Sequence, residues 1–353
     1  MVLHVPGASA NPLQPSGWQV ARADQTGEQI ALSCSGPSWC MSVGPGGTQI
    51  WDGSTWTSAA SSFAASFSIR GLSCWSRQGC IVVGSVPRPA ATGDEAGKPH
   101  ALRWDGTSWH PLPIPAATSA DTAFNGISCA TRTTCMVVGD LANHAYLWRN
   151  GTWASHRIPK PRGTRWIHGY AIDCATASSC HALGEVGFAT PPPVPEYALL
   201  SWNGRTWSRS LIKGIYPAAI SCATTRSCVV VGTDTKHMIG YSWNGATWRK
   251  STVPDSPTTS TTGYERLTSV SCWSTTGCQA VGVTDTAPFH RRWNGTTWTS
   301  LANPGTTDNF SSSNEASYDV NDIDCYDASF CVSDGGVTYG KAVGQIYMEH
   351  YSS

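Results

Sequence analysis

Charged, amide, hydroxyl and aromatic side chains occur four or six residues before seven of the cysteines in this 353-residue chain. These cysteines are Cys34, Cys74, Cys129, Cys174, Cys222, Cys272 and Cys325. The side chains are those of Glu28, Arg70, Asn125, His168, Tyr170, Tyr216, Arg266, Thr268, Asp319 and Asn321. Side chains with a purely structural role would be of the same type before every one of these cysteines, whereas these residue types differ from one cysteine to the next. We therefore expect these residues to line one asymmetric site whose chemistry combines several different groups.

Hydrolysis of a polysaccharide is one reaction that such residues could perform. It needs a carboxylic acid and a carboxylate on the two sides of the glycosidic bond, and the candidates are Glu28, Glu265 and Asp319. The sequence contains no G-x-S-x-G nucleophile motif and no H-E-x-x-H zinc motif. Acid–base chemistry by carboxyl groups is therefore the hydrolytic route that the sequence predicts.

Elimination from a uronic acid is the second reaction that the residue types allow. It needs a base that removes the proton next to the sugar carboxylate and a cation that neutralises that carboxylate. His168 or Tyr170 would act as the base, and Arg70 or Arg266 would supply the cation. Residue spacing does not choose between elimination and hydrolysis.

Binding without catalysis is the alternative function. Further candidates for contact with a glycan or a protein surface are Trp166, Tyr264, Tyr318, His100, His144, His237 and His290. The aromatic residues could carry sugar rings or pack inside the protein, and the histidines could bind a ligand or form hydrogen bonds at strand edges. A scaffold without a ligand site of its own is a third possibility. We predict no cofactor and no metal.

Fourteen cysteines fall into pairs with five residues between the partners. The pairs are Cys34 with Cys40, Cys74 with Cys80, Cys129 with Cys135, Cys174 with Cys180, Cys222 with Cys228, Cys272 with Cys278, and Cys325 with Cys331. Zinc sites typically use C-x2-C spacings or histidine partners, which do not recur here. The pattern predicts seven local disulfides, each stabilising the fold by about 2 kcal/mol. Disulfides at this density are typical of exported proteins, so we expect a secreted, extracellular location.

The cysteine pairs mark a unit that occurs seven times. Successive first cysteines lie 40 to 55 residues apart, which is the length of a four-stranded propeller blade. Each of the first six units contains two tryptophans five residues apart with a short turn between them, as in SWNGATW at 242–248. In the unit at 263–301, four short segments rich in β-branched and aromatic residues predict strands a, b, c and d. The sequence therefore predicts an all-β, seven-bladed propeller with one disulfide per blade.

The two ends of the chain complete each other. The seventh unit stops after strand c, whereas a surplus strand-like segment at about 12–22 precedes the first cysteine pair. We expect this N-terminal strand to complete the seventh blade, which would make residues 1–353 one domain. Closure of the ring would also hide the sheet edges that otherwise promote aggregation.

The hairpins between strands c and d carry a family resemblance. Their sequences DGSTW, DGTSW, NGRTW, NGATW and NGTTW resemble shortened Asp-boxes of sialidase-type propellers. The combined pattern SC-x5-C, VG and W-D/N-G-x2-W is similar to repeats of secreted bacterial propeller proteins. This resemblance concerns architecture, because the catalytic arginines and the tyrosine–glutamate pair of sialidases have no matching residues in this sequence.

The overall composition limits the choice of partners. The formal net charge is zero and only 13% of the residues are charged, which disfavours nucleic acid as a partner. The chain contains no apolar run long enough to span a membrane. We do not expect the N-terminus to be an intact signal peptide, because it lacks a charged first segment and a long apolar run. A polysaccharide or another glycan, or a protein surface, is the expected partner. The oligomeric state does not follow from the sequence.

The two faces of the predicted ring differ in how much their loops vary. The a–b loops all have five residues between the cysteines, and the c–d turns are short wherever they occur. The b–c and d–a connections differ in length from blade to blade. Because functional sites are usually built on variable loops above a constant scaffold, we expect the site on the b–c/d–a face, over the central channel.

Overall fold

The computed structural model describes residues 17–59, 63–64, 66–87, 97–114, 121–141, 143–188, 190, 196–234, 236–255, 265–284, 287–302, 316–339 and 345–352. Strand β1 (Gly17–Thr26) precedes the first complete blade. Blade 1 contains β2 (Ala31–Gly36), β3 (Trp39–Gly44), β4 (Gly47–Trp51) and β5 (Trp56–Ser58). Blade 2 contains β6 (Ser68–Ser76), β7 (Gly79–Pro87), β8 (Gly97–Trp104) and β9 (Trp109–Pro111). Blade 3 contains β10 (Asp121–Thr131), β11 (Thr134–Leu141), β12 (His144–Arg149) and β13 (Thr152–Arg157).

The remaining blades follow the same order of strands. Blade 4 contains β14 (Thr164–Thr176), β15 (Ser179–Phe188), β16 (Glu196–Trp202) and β17 (Trp207–Lys213). Blade 5 contains β18 (Tyr216–Thr224), β19 (Ser227–Thr233), β20 (Met238–Trp243) and β21 (Trp248–Thr252). Blade 6 contains β22 (Glu265–Ser274), β23 (Gly277–Thr284), β24 (Pro288–Trp293) and β25 (Trp298–Ser300). Blade 7 contains β26 (Ala316–Asp327), β27 (Phe330–Tyr339) and β28 (Gln345–Ser352), and β1 is its fourth strand.

The seven-bladed, all-β fold predicted from the repeats is confirmed. Each blade is a four-stranded antiparallel sheet. The described residues include no helix that is long and apolar enough to cross a membrane.

All seven predicted disulfides are present, one in each blade. From blade 1 to blade 7 they join Cys34 to Cys40, Cys74 to Cys80, Cys129 to Cys135, Cys174 to Cys180, Cys222 to Cys228, Cys272 to Cys278, and Cys325 to Cys331. In every blade the two cysteines lie directly opposite each other on the first two strands. The protein has no free cysteine, so the prediction of local disulfides rather than metal ligands is confirmed at every pair.

Closure of the ring takes place inside blade 7. The N-terminal strand β1 pairs antiparallel with the C-terminal strand β28, with Gly17 opposite Ser352 and Trp18 opposite Tyr351. This strand was expected at about 12–22 and is described from Gly17 to Thr26. Trp18 takes the place that the second tryptophan holds in the other blades.

The position of a strand within its blade determines its burial pattern. The second strand lies between two strands and between two neighbouring blades, so it is buried on both faces, and β23 is buried along its whole length. The fourth strand is the outer edge, where one buried tryptophan is followed by exposed Thr and Ser in β25. The described buried apolar side chains form seven clusters, one in each interface between blades.

The paired tryptophans shape the outer hairpins. Trp51 and Trp56 lie opposite each other on β4 and β5, with ring centroids 5.7 Å apart. The turn between them is closed by Asp52, whose Oδ1 accepts hydrogen bonds from the backbone N–H groups of Ser54 and Thr55. Gly53 has φ of 104°, which a residue with a side chain adopts only with strain. The local sequence thus specifies this hairpin.

Replacement of Trp18 by alanine should lower the free energy of unfolding by about 3–5 kcal/mol. The indole is only 5% exposed, stacks on His290 with ring centroids 3.9 Å apart, and donates a hydrogen bond from Nε1 to Gln279. Chemical unfolding followed by circular dichroism measures the loss. Trp18→Phe keeps an aromatic ring in the interface and should cost clearly less; equal losses for the two variants would contradict the importance of the stacked ring.

Candidate functional site

A polar cavity of about 320 Å³ lies on the axis of the ring. The first strand of every blade contributes to its wall, mainly through the residues one to four positions before the first cysteine. These positions are numbered −1 to −4, and −6 marks the residue six positions before that cysteine. The arrangement of the −1, −4 and −6 side chains decides what the cavity can bind.

The −1 residues form a closed circle of hydrogen bonds around the axis. In each blade the hydroxyl or carboxylate at −1 accepts the backbone N–H of the first cysteine in the next blade. The acceptors in blades 1 to 7 are Ser33, Ser73, Ser128, Asp173, Ser221, Ser271 and Asp324, and the distances lie between 2.7 and 3.0 Å. The first strand of each blade has no neighbouring strand of its own sheet on the channel side. Its N–H groups on that side therefore need hydrogen-bond acceptors from another blade.

Three carboxyl groups, those of Asp173, Asp322 and Asp324, line the wall of the cavity as an inner tier and are half-buried there. Asp324 accepts the N–H of Cys34, and Asp322 accepts the N–H of Leu32, so both join blade 7 to blade 1. Burial raises the pKa of Asp322 to about 6 and that of Asp324 to about 7, although the hydrogen bonds from blade 1 oppose the rise. Burial also raises the pKa of Asp173 in blade 4. The contacts of Asp173 and Asp324 match those of the serines in other blades, which indicates a structural role.

A β-bulge at −4 turns one side chain of most blades into the mouth of the cavity. In blade 2, Ile69 pairs with Gly84 and Gly71 pairs with Val83, so Arg70 is the extra residue. The register shifts in the same way around Asn125, Tyr170, Ala218, Thr268 and Asn321. A bulge re-aims the residue that it contains. Arg70, Asn125, Tyr170, Thr268 and Asn321 all line the cavity.

The glycine of the repeated VG pair makes room for the bulge. A Cβ atom on Gly139 would lie 2.2 Å from the carbonyl oxygen of Ala123, the −6 residue of blade 3. The corresponding carbonyl oxygens would lie between 1.8 and 2.3 Å from a Cβ atom on Gly44, Gly84, Gly232, Gly282 and Gly335. In these blades the repeated glycine therefore lets the second strand lie close against the −6 residue of the first strand.

Histidine and amide side chains are linked across blades 3 and 4. Asn125 donates from Nδ2 to Asp140 at 3.0 Å, and Nδ1 of His168 lies 3.2 Å from the same carboxylate oxygen. The His168 ring stacks on Trp166, with centroids 4.0 Å apart and an interplanar angle of 14°. The structure thus brings three predicted residues together through Asp140, which the sequence reasoning did not select.

Charged residues of blades 6, 7 and 1 are paired at the same mouth. The guanidinium of Arg266 lies 3.2 Å from the carboxylate of Asp319. Asn321 donates from Nδ2 to the carboxylate of Glu28 at 2.8 Å and to the backbone carbonyl of Gln29 at 2.7 Å. Arg266, a predicted cation for elimination, and Asp319, a predicted carboxyl group for hydrolysis, are thus paired with each other. These contacts leave fewer free groups for acid–base chemistry than the sequence suggested.

An aromatic cluster joins blades 4 and 5. Tyr170 lies edge-on to Tyr197, and Tyr197 lies edge-on to Tyr216, with centroid separations of 6.4 and 6.0 Å. The Tyr170 hydroxyl donates a hydrogen bond to the backbone carbonyl of Pro217 at 2.6 Å, and burial raises its pKa. The Tyr216 side chain is 45% exposed, so it offers a free aromatic surface at the mouth.

The prediction of a ligand contact is wrong for two residues, His290 and Tyr318, because both are buried between blades. His290 is fully buried between blades 6 and 7, where its Nε2 lies 2.9 Å from Glu349 and its ring stacks on Trp18. Tyr318 is 7% exposed and packs in the same interface. Neither side chain can contact a ligand in the channel without disrupting this packing. Tyr264 lies outside the described residues.

The other predicted residues lie around the edge of the face. Glu265 and His237 line a separate cavity of about 280 Å³, in which His237 lies 3.7 Å from the carboxylate of Asp255. His100 is half-buried edge-on to Phe67, and burial lowers its pKa. His144 is half-buried at the start of β12. Across the residues that the structure describes, no group of three or more His, Cys, Asp or Glu side chains could hold a metal ion.

Comparisons with known proteins identify the fold. No protein-family model matches the chain, and no curated protein matches it. The solved structure of U3-55K has 12% identity and a TM-score of 0.61, and the match covers 95% of this chain and 98% of that one. YCF48 bound to D1 peptide has 12% identity and a TM-score of 0.54, with 99% and 100% covered. The Dos1 propeller has 12% identity and a TM-score of 0.53, with 96% and 95% covered. At these identities the likeness shows the fold alone.

Replacement of Gly139 by alanine should lower the free energy of unfolding by about 1–3 kcal/mol, because the new methyl group would collide with the Ala123 carbonyl oxygen. Gly36→Ala is the matched control, since a Cβ atom there would meet nothing within 4 Å. Equilibrium unfolding in urea compares the two variants. Equal stability of both would show that the bulge tolerates a side chain opposite it.

The stability of the wild type should fall relative to that of Asp324→Asn as the pH rises from about 4 to 8. The pKa of Asp324 is raised to about 7 in the folded protein, which means that folding favours the protonated carboxyl group. The contribution of this group to the free energy of unfolding is therefore complete below the ordinary pKa near 3.8 and is lost as the pH rises through about 7. The amide cannot titrate. Histidines with lowered pKa values, such as His181, act equally in both proteins and cancel in the difference.

Urea unfolding at several pH values measures this difference. Asp52→Asn provides the control, because hydrogen bonds in its exposed turn hold the pKa of Asp52 at about 2, below the whole range tested. A difference between wild type and Asp324→Asn that stays constant with pH would contradict the raised pKa.

Proposed function

We propose that this protein binds a glycan, without cleaving it, through one asymmetric site at the mouth of the central channel. One observation carries the proposal: bulges at a common register project a different polar or aromatic side chain from most blades into one polar cavity. Ligand pockets typically combine a concave surface with a few convergent polar groups that orient the ligand. A lectin with equivalent sites would instead repeat its ligand-binding residues in each blade.

The aromatic surface at the mouth supports a sugar as the ligand. Tyr216 is 45% exposed, and its ring packs edge-on against that of Tyr197. Trp166 lies in blade 4, next to the blade of Tyr216. It is half-buried and stacks on His168 of its own strand. An aromatic ring combines an apolar face with a polar edge and loses little conformational freedom on binding. Such rings suit the C–H faces of sugars, while Asn125, Thr268 and Asn321 supply hydrogen-bonding groups for the hydroxyls.

Contacts of the candidate catalytic groups favour binding over cleavage. Glu28 accepts a hydrogen bond from Asn321, and Asp319 is paired with Arg266. Glu265 lines a different cavity. The Tyr170 hydroxyl is committed to a backbone carbonyl, and its raised pKa opposes the loss of its proton. The described contacts of Glu28, Asp319 and Glu265 therefore do not bring two of these carboxyl groups to opposite sides of a sugar.

An extracellular location agrees with this proposal. Seven disulfides within one chain fit an oxidising environment. Glycans are abundant outside the cell, and the pairing of β1 with β28 joins the two ends of the chain within one blade. We therefore propose a secreted glycan-binding propeller.

Tyr216→Ala should weaken binding to a glycan at least tenfold, because it removes the exposed ring at the mouth. Calorimetric titration with a panel of neutral and acidic oligosaccharides measures the affinity. Tyr326→Ala is the matched control, since this tyrosine is 52% exposed but follows Cys325 in an a–b loop on the opposite face.

Three outcomes would contradict the proposal. An equal loss for both tyrosine variants would place the ligand elsewhere, and the absence of binding across the panel would exclude a glycan ligand of these classes. Mass spectrometry of the same mixtures detects shortened or unsaturated products, and either product would show that the protein is an enzyme.

A further inference from the structure

A second cavity beside the channel mouth is apolar. It measures about 470 Å³ and lies between blades 1 and 2, where it is lined by side chains including Ile30, Phe63, Phe67 and Ile69. Ile30 and Arg70 line this groove and also the channel cavity, so the two spaces meet at these residues. A ligand that fills both must present an apolar surface on one side of Arg70 and polar groups on the other.

The aromatic floor of the groove is held in place by packing. The Phe63 ring lies 5.8 Å from that of Phe67 and 5.4 Å from that of Trp109. Phe67 is 8% exposed, whereas Phe63 is half-buried and keeps part of its surface open to the groove. A fixed and partly open phenyl ring can accept the C–H face of a sugar at a small entropic cost.

Arg70 lies at the border between the groove and the channel cavity. It is the bulge residue of blade 2 and its side chain is exposed. Within the part of the chain that the structure describes, it has no hydrogen-bond or ion-pair partner, whereas Arg266 is paired with Asp319 and His168 with Asp140. A guanidinium forms two parallel hydrogen bonds with a carboxylate and is well suited to recognise one.

We propose that Arg70 and the groove of Phe63 form a subsite for a uronic acid residue, so that the ligand is an acidic glycan. The inference rests on the proposed function and specifies its ligand class. The sugar carboxylate binds the Arg70 guanidinium, the C–H face of the same ring lies on Phe63, and the next sugar extends into the channel mouth. The carboxyl groups of Asp173, Asp322 and Asp324 accept backbone N–H groups of neighbouring blades at positions −1 and −3, whereas Arg70 occupies the bulge position −4.

Calorimetric titration with trigalacturonic acid and its fully methyl-esterified form tests this subsite. The two probes share size and linkage and differ in the charge of the carboxyl groups. The wild type should bind the acid about tenfold or more tightly than the ester, and Arg70→Gln should abolish the preference while its affinity for the ester stays unchanged. Raised salt should weaken binding of the acid to the wild type only.

Arg77→Gln is the matched control. Arg77 belongs to the same blade, but it is exposed on the a–b face, where it donates hydrogen bonds to Ser38. This variant should keep the preference for the acid. Thermal melting of Arg70→Gln should match that of the wild type, since the side chain is exposed, so a loss of binding will not reflect unfolding.

The outcomes separate this inference from the proposed function. Equal binding of the acid and the ester by the wild type, or a preference that survives in Arg70→Gln, would overturn the uronate subsite and leave glycan binding intact. A preference for a sulfated trisaccharide over the uronate would also overturn it. If neither these probes nor the wider panel of oligosaccharides bind, both proposals fail together.

Discussion

The hydrogen bond between adjacent inner strands is the contact on which the ring depends. Each blade leaves the N–H of its first cysteine unpaired on the channel side, and the −1 side chain of the preceding blade accepts it at 2.7 to 3.0 Å. The donor and its acceptor lie in adjacent blades, so the circle is complete only when all seven blades are in place. The two carboxyl acceptors, Asp173 and Asp324, make the shortest bonds of the circle, each 2.7 Å.

Several polar contacts join blade 7 to blade 1. Asp322 and Asp324 both accept backbone N–H groups of blade 1, and Ser42 of blade 1 donates to the buried Asp334. Burial raises the pKa of Asp334 as well. Protonated carboxyl groups can be buried there at a lower cost than charged ones. The blade that combines the two ends of the chain is thus joined to blade 1 by specific polar contacts.

One local device serves both the scaffold and the site. In blade 6, Gly282 of the VG pair leaves room for the first strand, and the bulge at Thr268 presents this residue to the channel mouth without disturbing the cysteine pair nearby. Because the glycine and the cysteines repeat, the geometry is the same in most blades, while the residue in the bulge is free to change. Arginine, amide, phenol and hydroxyl groups therefore meet at one mouth from blades that are almost identical in backbone.

The sequence by itself determined the blades, because their signals are local. Cys272 and Cys278 lie within one hairpin, as do Trp293 and Trp298, so spacing along the chain was enough to predict both pairs and the number of units. It also identified Arg70, Asn125, Tyr170, Thr268 and Asn321 as neighbours of the channel. Only the tertiary structure decided that His290 is buried under Trp18, that Asp140 joins Asn125 to His168, and that Phe63 forms a groove beside Arg70. These contacts join residues of different strands or blades, which closure of the ring and the bulges bring together, so no spacing along one strand could reveal them.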